Sequence, residues 1–345
     1  MRTSVVAGLV AVGLAAYIAG VVLGAPLASM SAALLLVAVF GELTVYGIEG
    51  LGARFGLSPY ASSVLVNSVA VLPELFSALA LGLRGLSAGN TWLAEIALLS
   101  VLVSALFNFV VLGAVGLLAR GVGVEESTLR LEVPLMRVSV ASLGLLAGFA
   151  VIEASLGKPG ASIREPFAIL LAQLIYWFYY ISSAVRSGLG YGKRAPPRGW
   201  LVALLAGILG MILSAEALAG SIEEMIHSLH IEHIGEAALA VGVASSAPEA
   251  VLALLAAKRG MAKEAAGGLV AATSTSVLLV YPLVYLPLAK SLPVDAFTAY
   301  TLATLAAMLW LTKRSLVHEN LLDTSESLYL LVLAASALAT LPAIK

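Results

Sequence analysis

The chain has 345 residues, 61% hydrophobic and only 11% charged, with a formal net charge of -1. So little charge cannot cover a soluble surface, so the chain reads as an integral membrane protein whose charge balance singles out no macromolecular partner. It has no cysteine, which excludes disulfides, thiolate metal sites and cysteine nucleophiles.

Apolar runs long enough to cross a hydrocarbon core recur along the whole sequence. Bounded by charge, Gly and Pro, they predict eleven helices near 4–24, 30–53, 60–83, 92–119, 135–153, 166–185, 200–227, 235–257, 264–289, 294–312 and 325–342. The first has only Arg2 before it and is expected to span the membrane rather than to be cleaved as a signal. The stretch "EESTLRLE" at 125–132 reads as a solvated interfacial loop. Gly113, Gly116, Gly144 and Gly148 read as sites of close helix packing, and the aromatics of "YWFYY" at 176–180 as packing or an interfacial belt. If the spans alternate, one side collects Arg84, Lys158, Arg164, Lys290 and Lys345 and the other the remaining 14 of the 19 basic residues. The positive-inside rule then puts the N-terminus in the cytoplasm and the C-terminus outside, in a multi-pass protein of the cell membrane. The polar connection "RSGLGYGKRAPPRG" at 186–199 is expected to be cytoplasmic and divides the chain into halves.

The halves resemble one another. The segment from Gly41 aligns with the segment from Ala215: Glu42 falls on Glu216, Pro73-Glu74 on Pro248-Glu249 and Arg84-Gly85 on Arg259-Gly260. Five spans separate corresponding helices, an odd number, so the halves enter the membrane from opposite sides as an inverted repeat. Proline in a span frees backbone carbonyls to face a ligand, and a carboxylate at mid-membrane, costing about 2.5–3.5 kcal/mol on insertion scales, is paired, protonated or functional. A two-fold axis in the membrane plane would bring Glu74 and Glu249 face to face, with Pro73 and Pro248 breaking their helices. Such an oxygen-rich site suits a hard divalent ion.

On these residues the sequence resembles the cation/calcium exchanger superfamily, especially its prokaryotic sodium/calcium exchanger branch. That branch has ten helices in two inverted five-helix repeats, with stretches like G-T-S-L-P-E and G-S-N-x-x-N/D in paired helices. "ASSAPE" at 244–249 is the fuller copy, with Ser245, Ser246, Pro248 and Glu249. "VAVLPE" at 69–74 keeps Leu72, Pro73 and Glu74 but has Ala70 and Val71 in place of the hydroxyl pair. "SALFN" places Ser104 and Asn108 at ligand positions. "TSTSV" places Thr273 there, with Val277 where Asn or Asp is expected and Ser276 about 100° off that face.

The resemblance implies an all-α polytopic membrane protein. Residues 1–28 would be an additional N-terminal transmembrane helix, 29–185 the first exchanger repeat, 186–199 the cytoplasmic linker and 200–345 the second repeat. It implies an antiporter, not an enzyme, exchanging Ca²⁺ or a similar divalent cation against Na⁺ by alternating access, with no cofactor. Its partners would be the lipid bilayer and inorganic cations, with no nucleic acid. Glu74 and Glu249 would be central ligands, Ser104, Asn108, Ser245, Ser246 and Thr273 supporting ones, and Glu42 and Glu216 gating residues on helices that slide past the core. Two other readings stay open: H⁺-coupled exchange of Ca²⁺ or Mn²⁺, and a degenerate, non-transporting member, for which the hydroxyls missing from the first repeat argue. "HSLHIEHIGE" at 227–236 holds His227, His230 and His233, a turn between spans in the repeat alignment. It is expected to be a solvated loop, the alternative being an accessory metal or pH-sensing site. No H-E-x-x-H motif marks a zinc protease.

Overall fold

The computed structural model describes residues 3–57, 65, 68, 71–124, 126–155, 164–188, 195–228, 230–231, 233–288, 296–319 and 321–343. Among these the protein is almost wholly helical. In chain order the helices are α1 (Thr3–Val22), α2 (Pro26–Phe55), α3 (Leu72–Ser87), α4 (Thr91–Ala119), α5 (Glu126–Ser155), α6 (Arg164–Gly188), α7 (Trp200–Ser228) and α8 (Ile234–Lys258). There follow α9 (Ala262–Thr275), a π-helical turn (Ser276–Val280) and α10 (Tyr281–Leu288), which form one continuous rod, then α11 (Ala296–Glu319) and α12 (Thr324–Thr340). Among the described residues seven helices are long and apolar enough to cross a membrane, and α8, bent by 50° at Pro248, makes an eighth. α3, α11 and α12 fall short because they are brief or carry more polar residues, yet each sits where a span is predicted. Ala70, Glu232 and most of the first half of the 60–83 helix lie outside the described residues, as does much of the 186–199 connection.

Burial separates a core from a periphery. The span through α9 and α10 is 89% buried and α4 is 72% buried, whereas only 11% of α1 is covered, by its packing on α2. Small residues set the closest approaches, the expected device where helices gain nothing by hiding from lipid. Gly47 meets Leu204, Gly50 meets Trp200, Gly207 meets Thr44 and Gly210 meets Phe40, so the register runs backwards and α2 and α7 lie antiparallel. α4 packs on α8 where Gly242 meets Ser100 and Val103. Gly113 and Gly116 press on Ser327 of α12, as expected, but a Cβ at Gly144 or Gly148 would meet nothing among the described residues. Of the 176–180 aromatics, Trp177 is buried and Phe178 and Tyr179 face outward.

Two local features depart from the expected elements. Residues 126–132 are not a loop: α5 starts at Glu126, and Glu132 is buried on it, six residues in. Arg130 and Glu126, i and i+4 neighbours, pair on the exposed side, so the charge pattern that reads as a loop is one face of a helix. After α4, Arg120 turns the chain with a left-handed backbone, and Val122 and Gly123 (β1) pair antiparallel with Leu322 and Leu321 (β2). That small ladder anchors α12, whose start is fixed by a capping box between Asp323 and Glu326.

Candidate cation site

Pro73 sits in the first turn of α3 rather than in mid-helix, where its missing N–H leaves no bond unmade. Glu74 therefore lies at a helix N-terminus, where backbone donors and the helix dipole favour negative charge. In α8 the bend falls between Ala247 and Glu249, so Glu249 too opens a helical half. The two Pro-Glu pairs share this local logic: each begins a helical segment with a carboxylate.

These ends meet at a cavity of about 140 Å³ walled by α2, α3, α4 and α8. Glu42, Glu74, Ser104, Ser245, Ser246 and Glu249 line it. Ser104 and Ser246 hydrogen-bond each other across the α4–α8 contact, while Ser245 and Ser246 also donate to the Gly242 carbonyl. Asn108, one turn beyond Ser104, is 2% exposed, and its Oδ1 has no hydrogen-bond partner among the described residues; nor has Glu74 Oε1. Buried acceptor oxygens without donors are chemically suited to a cation, but of the two only Glu74 lines the cavity, and Asn108 does not.

The remaining candidates divide. Thr273 is buried, but its hydroxyl donates to the Leu269 carbonyl of its own helix. Ser276, off the ligand face by regular α-helical phase, donates to Glu74 Oε2 at 2.8 Å. A π-helical turn begins at Ser276. Ser77 also lines the cavity, three residues after Glu74 on one helix face, a spacing that the sequence displays. The two glutamates matched as gating residues differ in surroundings. Glu42 is the third carboxylate on the cavity wall, whereas Glu216 lies outside it and accepts from Arg84 Nε at 2.6 Å. Arg84 also reaches Glu223 at 3.4 Å, its guanidinium lying over Gly220. His227 ends α7, His230 has a left-handed backbone and His233 is the N-cap of α8. All three are exposed, and among the described residues no three His, Cys, Asp or Glu side chains are grouped to hold a metal ion.

A family model described as sodium/calcium exchanger protein matches the chain over residues 25–183 and 199–341. The chain belongs to the sodium/calcium exchanger family. Comparison with curated proteins finds no match. Among solved structures the chain is similar to the H⁺/Ca²⁺ exchanger CAX, with TM-score 0.75 and 14% identity, over 98% of this chain and 90% of that one. It is also similar to native YfkE, with TM-score 0.69 and 16% identity, over 98% and 100%. The sodium-calcium exchanger NCX_Mj gives TM-score 0.57 and 18% identity, over 89% and 95%. At these identities the likeness establishes a shared fold, and both kinds of exchanger carry it.

Proposed function

We propose that this member of the family is a secondary active antiporter that exchanges Ca²⁺, or a similar divalent cation, against Na⁺ by alternating access. The observation that carries the reading is that Glu74 and Glu249, from opposite halves of the sequence, wall one cavity together with hydroxyl oxygens. Two carboxylates are neutralised by one divalent ion or by monovalent ions, seldom by both, and that competition couples the fluxes. Ser104, Asn108, Ser245, Ser246 and Ser276 supply further oxygens; Thr273 is a helix-internal donor. No bond is made or broken, so the protein is no enzyme in this reading. The antiparallel α2–α7 pair and the family match in two stretches support inverted repeats at 29–185 and 200–345, joined by 186–199 and preceded by an extra helix within 1–28. The basic-residue asymmetry supports a cytoplasmic N-terminus.

One observation favours H⁺ as the coupling ion instead. Val71 and Val277, where sodium-type sites need oxygen, are apolar and 1% and 0% exposed. Proteoliposomes loaded with Na⁺, or poised with a pH gradient, decide between the two by which gradient drives labelled Ca²⁺ uptake. A correctly folded chain that takes up Ca²⁺ under neither gradient is a non-transporting member. Glu74→Gln or Glu249→Gln is expected to lower uptake about a hundredfold or more, since losing one member of a buried charge set costs about 3–5 kcal/mol. Unchanged uptake in both variants would mean that the cation binds elsewhere. Single cysteines added near each terminus of this cysteine-free chain report orientation in the same vesicles, and cytoplasm-side labelling of the C-terminal probe would overturn it.

A further inference from the structure

Among the described residues Glu132 is a buried carboxyl that the cation cavity does not use. It lies on α5, 6% exposed, among Leu129, Leu135 and Met136, all buried. Ser274, 0% exposed, faces it from α9, yet neither Ser274 Oγ nor Glu132 Oε2 completes a hydrogen bond among the described residues. Nor is any described base ion-paired to it. Arg130 on its own helix turns outward to Glu126, and Arg137 is exposed. On the packed helices Lys263 and Glu264 are exposed at the start of α9, Arg314 of α11 lies over Trp310 with Lys313 half-buried beside it, and Tyr176 and Tyr180 of α6 stack on each other.

A buried carboxylate without a cationic side chain needs a bound cation to offset its charge. The surroundings decide which one. A metal ion such as Ca²⁺ wants about six to eight oxygens at 2.3–2.6 Å. Here the shell offers one hydroxyl, and the next orphaned oxygen on α5, Ser139 Oγ, is about 10 Å further along the helix at 1.5 Å per residue. A proton needs one partner, and Ser274 serves both states. Its oxygen accepts from a protonated carboxyl, and its O–H donates to an ionised one by turning about the Cβ–Oγ bond. A partner of that kind suits a group that gains and loses its proton.

The location couples this group to the cavity. Ser274 and Ser276 are two residues apart, about 200° around the helix, so they face opposite sides of the same rod. Ser276 bonds Glu74 and Ser274 faces Glu132. The rod thus stands between the two carboxyls, about one helix diameter of 10 Å, and it is 89% buried, so their interaction is weakly screened.

We propose that Glu132, across α9 from the cation cavity, binds one exchangeable proton whose release is linked to arrival of a divalent cation at Glu74 and Glu249. The sign follows from charge: positive charge entering the cavity favours an ionised Glu132, so cation binding expels the proton. The inference rests on the cavity being the divalent-ion site.

The test counts protons. The purified full-length chain in lightly buffered detergent with a pH-indicator dye is titrated with CaCl₂, and Ca²⁺ binding is followed in parallel by calorimetry. Glu132→Gln, which keeps the shape of the neutral acid, is expected to release about one proton fewer per Ca²⁺ bound than the parent and, because the linkage is reciprocal, to bind Ca²⁺ about tenfold or more weakly at the same pH. Ser274→Ala removes the switching partner and is expected to lower the release as well, whereas Ser274→Thr keeps the hydroxyl and the release. The two Ser274 variants decide the matter if Glu132→Gln does not run as a single species on gel filtration. Equal proton counts in all variants, with Ca²⁺ binding intact, overturn the proposal alone. A parent chain that binds no Ca²⁺ overturns the exchanger reading and this linkage with it.

Discussion

Ser276 and Thr273 are three residues apart, both buried and both hydroxyl-bearing, yet only Ser276 bonds Glu74. Hydrogen bonds to charged groups contribute about 1.5–3 kcal/mol, so Ser276→Ala is expected to weaken Ca²⁺ binding by about tenfold or more. Thr273→Val keeps volume and loses a bond inside its own helix, so its binding should stay within about threefold. Calorimetric titration of both variants checks the contrast, and a larger loss in Thr273→Val would return the ligand role to the regular helical phase. The same pair marks how far the site is legible in the sequence. Glu74, Glu249 and the Ser104, Ser245 and Ser246 hydroxyls can be read directly, because Pro-Glu in an apolar run is costly unless used and because the halves repeat it. The π-helical turn is not legible, since nothing in "TSTSV" marks it locally. Glu132 escapes for a related reason: one helix face of exposed Glu126 and Arg130 hides the buried acid on the other.

At the scale of elements the eleven rods are readable from apolar length, whereas the breaks inside them are not, because a proline permits either a kink or a start. Glycines show the same ambiguity. A side chain at Gly207 would meet the backbone of α2 at Thr44 and Phe40, so it holds α2 and α7 in contact. Gly144 on α5 meets nothing among the described residues. Gly207→Leu must therefore part the two helices, and overpacking of this kind costs about 1–3 kcal/mol. Gly144→Ala adds no clash and gains up to about 1 kcal/mol of helix propensity. Thermal denaturation followed by gel filtration should show the first variant melting several degrees lower, on the order of 4 °C or more, and the second unchanged or higher. If both melt lower, Gly144 has a neighbour, such as lipid or another chain, that fixes its environment.

At the scale of the molecule, α2 and α7 pack as a pair along their length, and Arg84 ties α7 to α3, a helix of the cavity wall. If alternating access moves the pair against the remaining helices, α7 cannot shift along α3 without pulling Glu216 and Glu223 past a guanidinium held over Gly220. The clasp therefore weights the equilibrium towards the arrangement in which it is made. Its side chains are partly exposed, with Arg84 at 37% and Glu216 at 54%, so each pair is worth about 0.2–1 kcal/mol, a factor of up to about five in population. Arg84→Gln should accordingly change the labelling rate of a cysteine at Val45, on the cavity wall, by about two- to fivefold. The absence of native cysteines makes that probe clean. Raising the salt concentration should move the parent protein in the same direction, because screening weakens an exposed ion pair as removal does. Reversing the charges, with Arg84→Glu and Glu216→Arg together, should restore part of the parental rate. A labelling rate that ignores Arg84→Gln and salt alike would mean that the pair and the cavity wall move as one body, and that access is controlled somewhere other than the α3–α7 boundary.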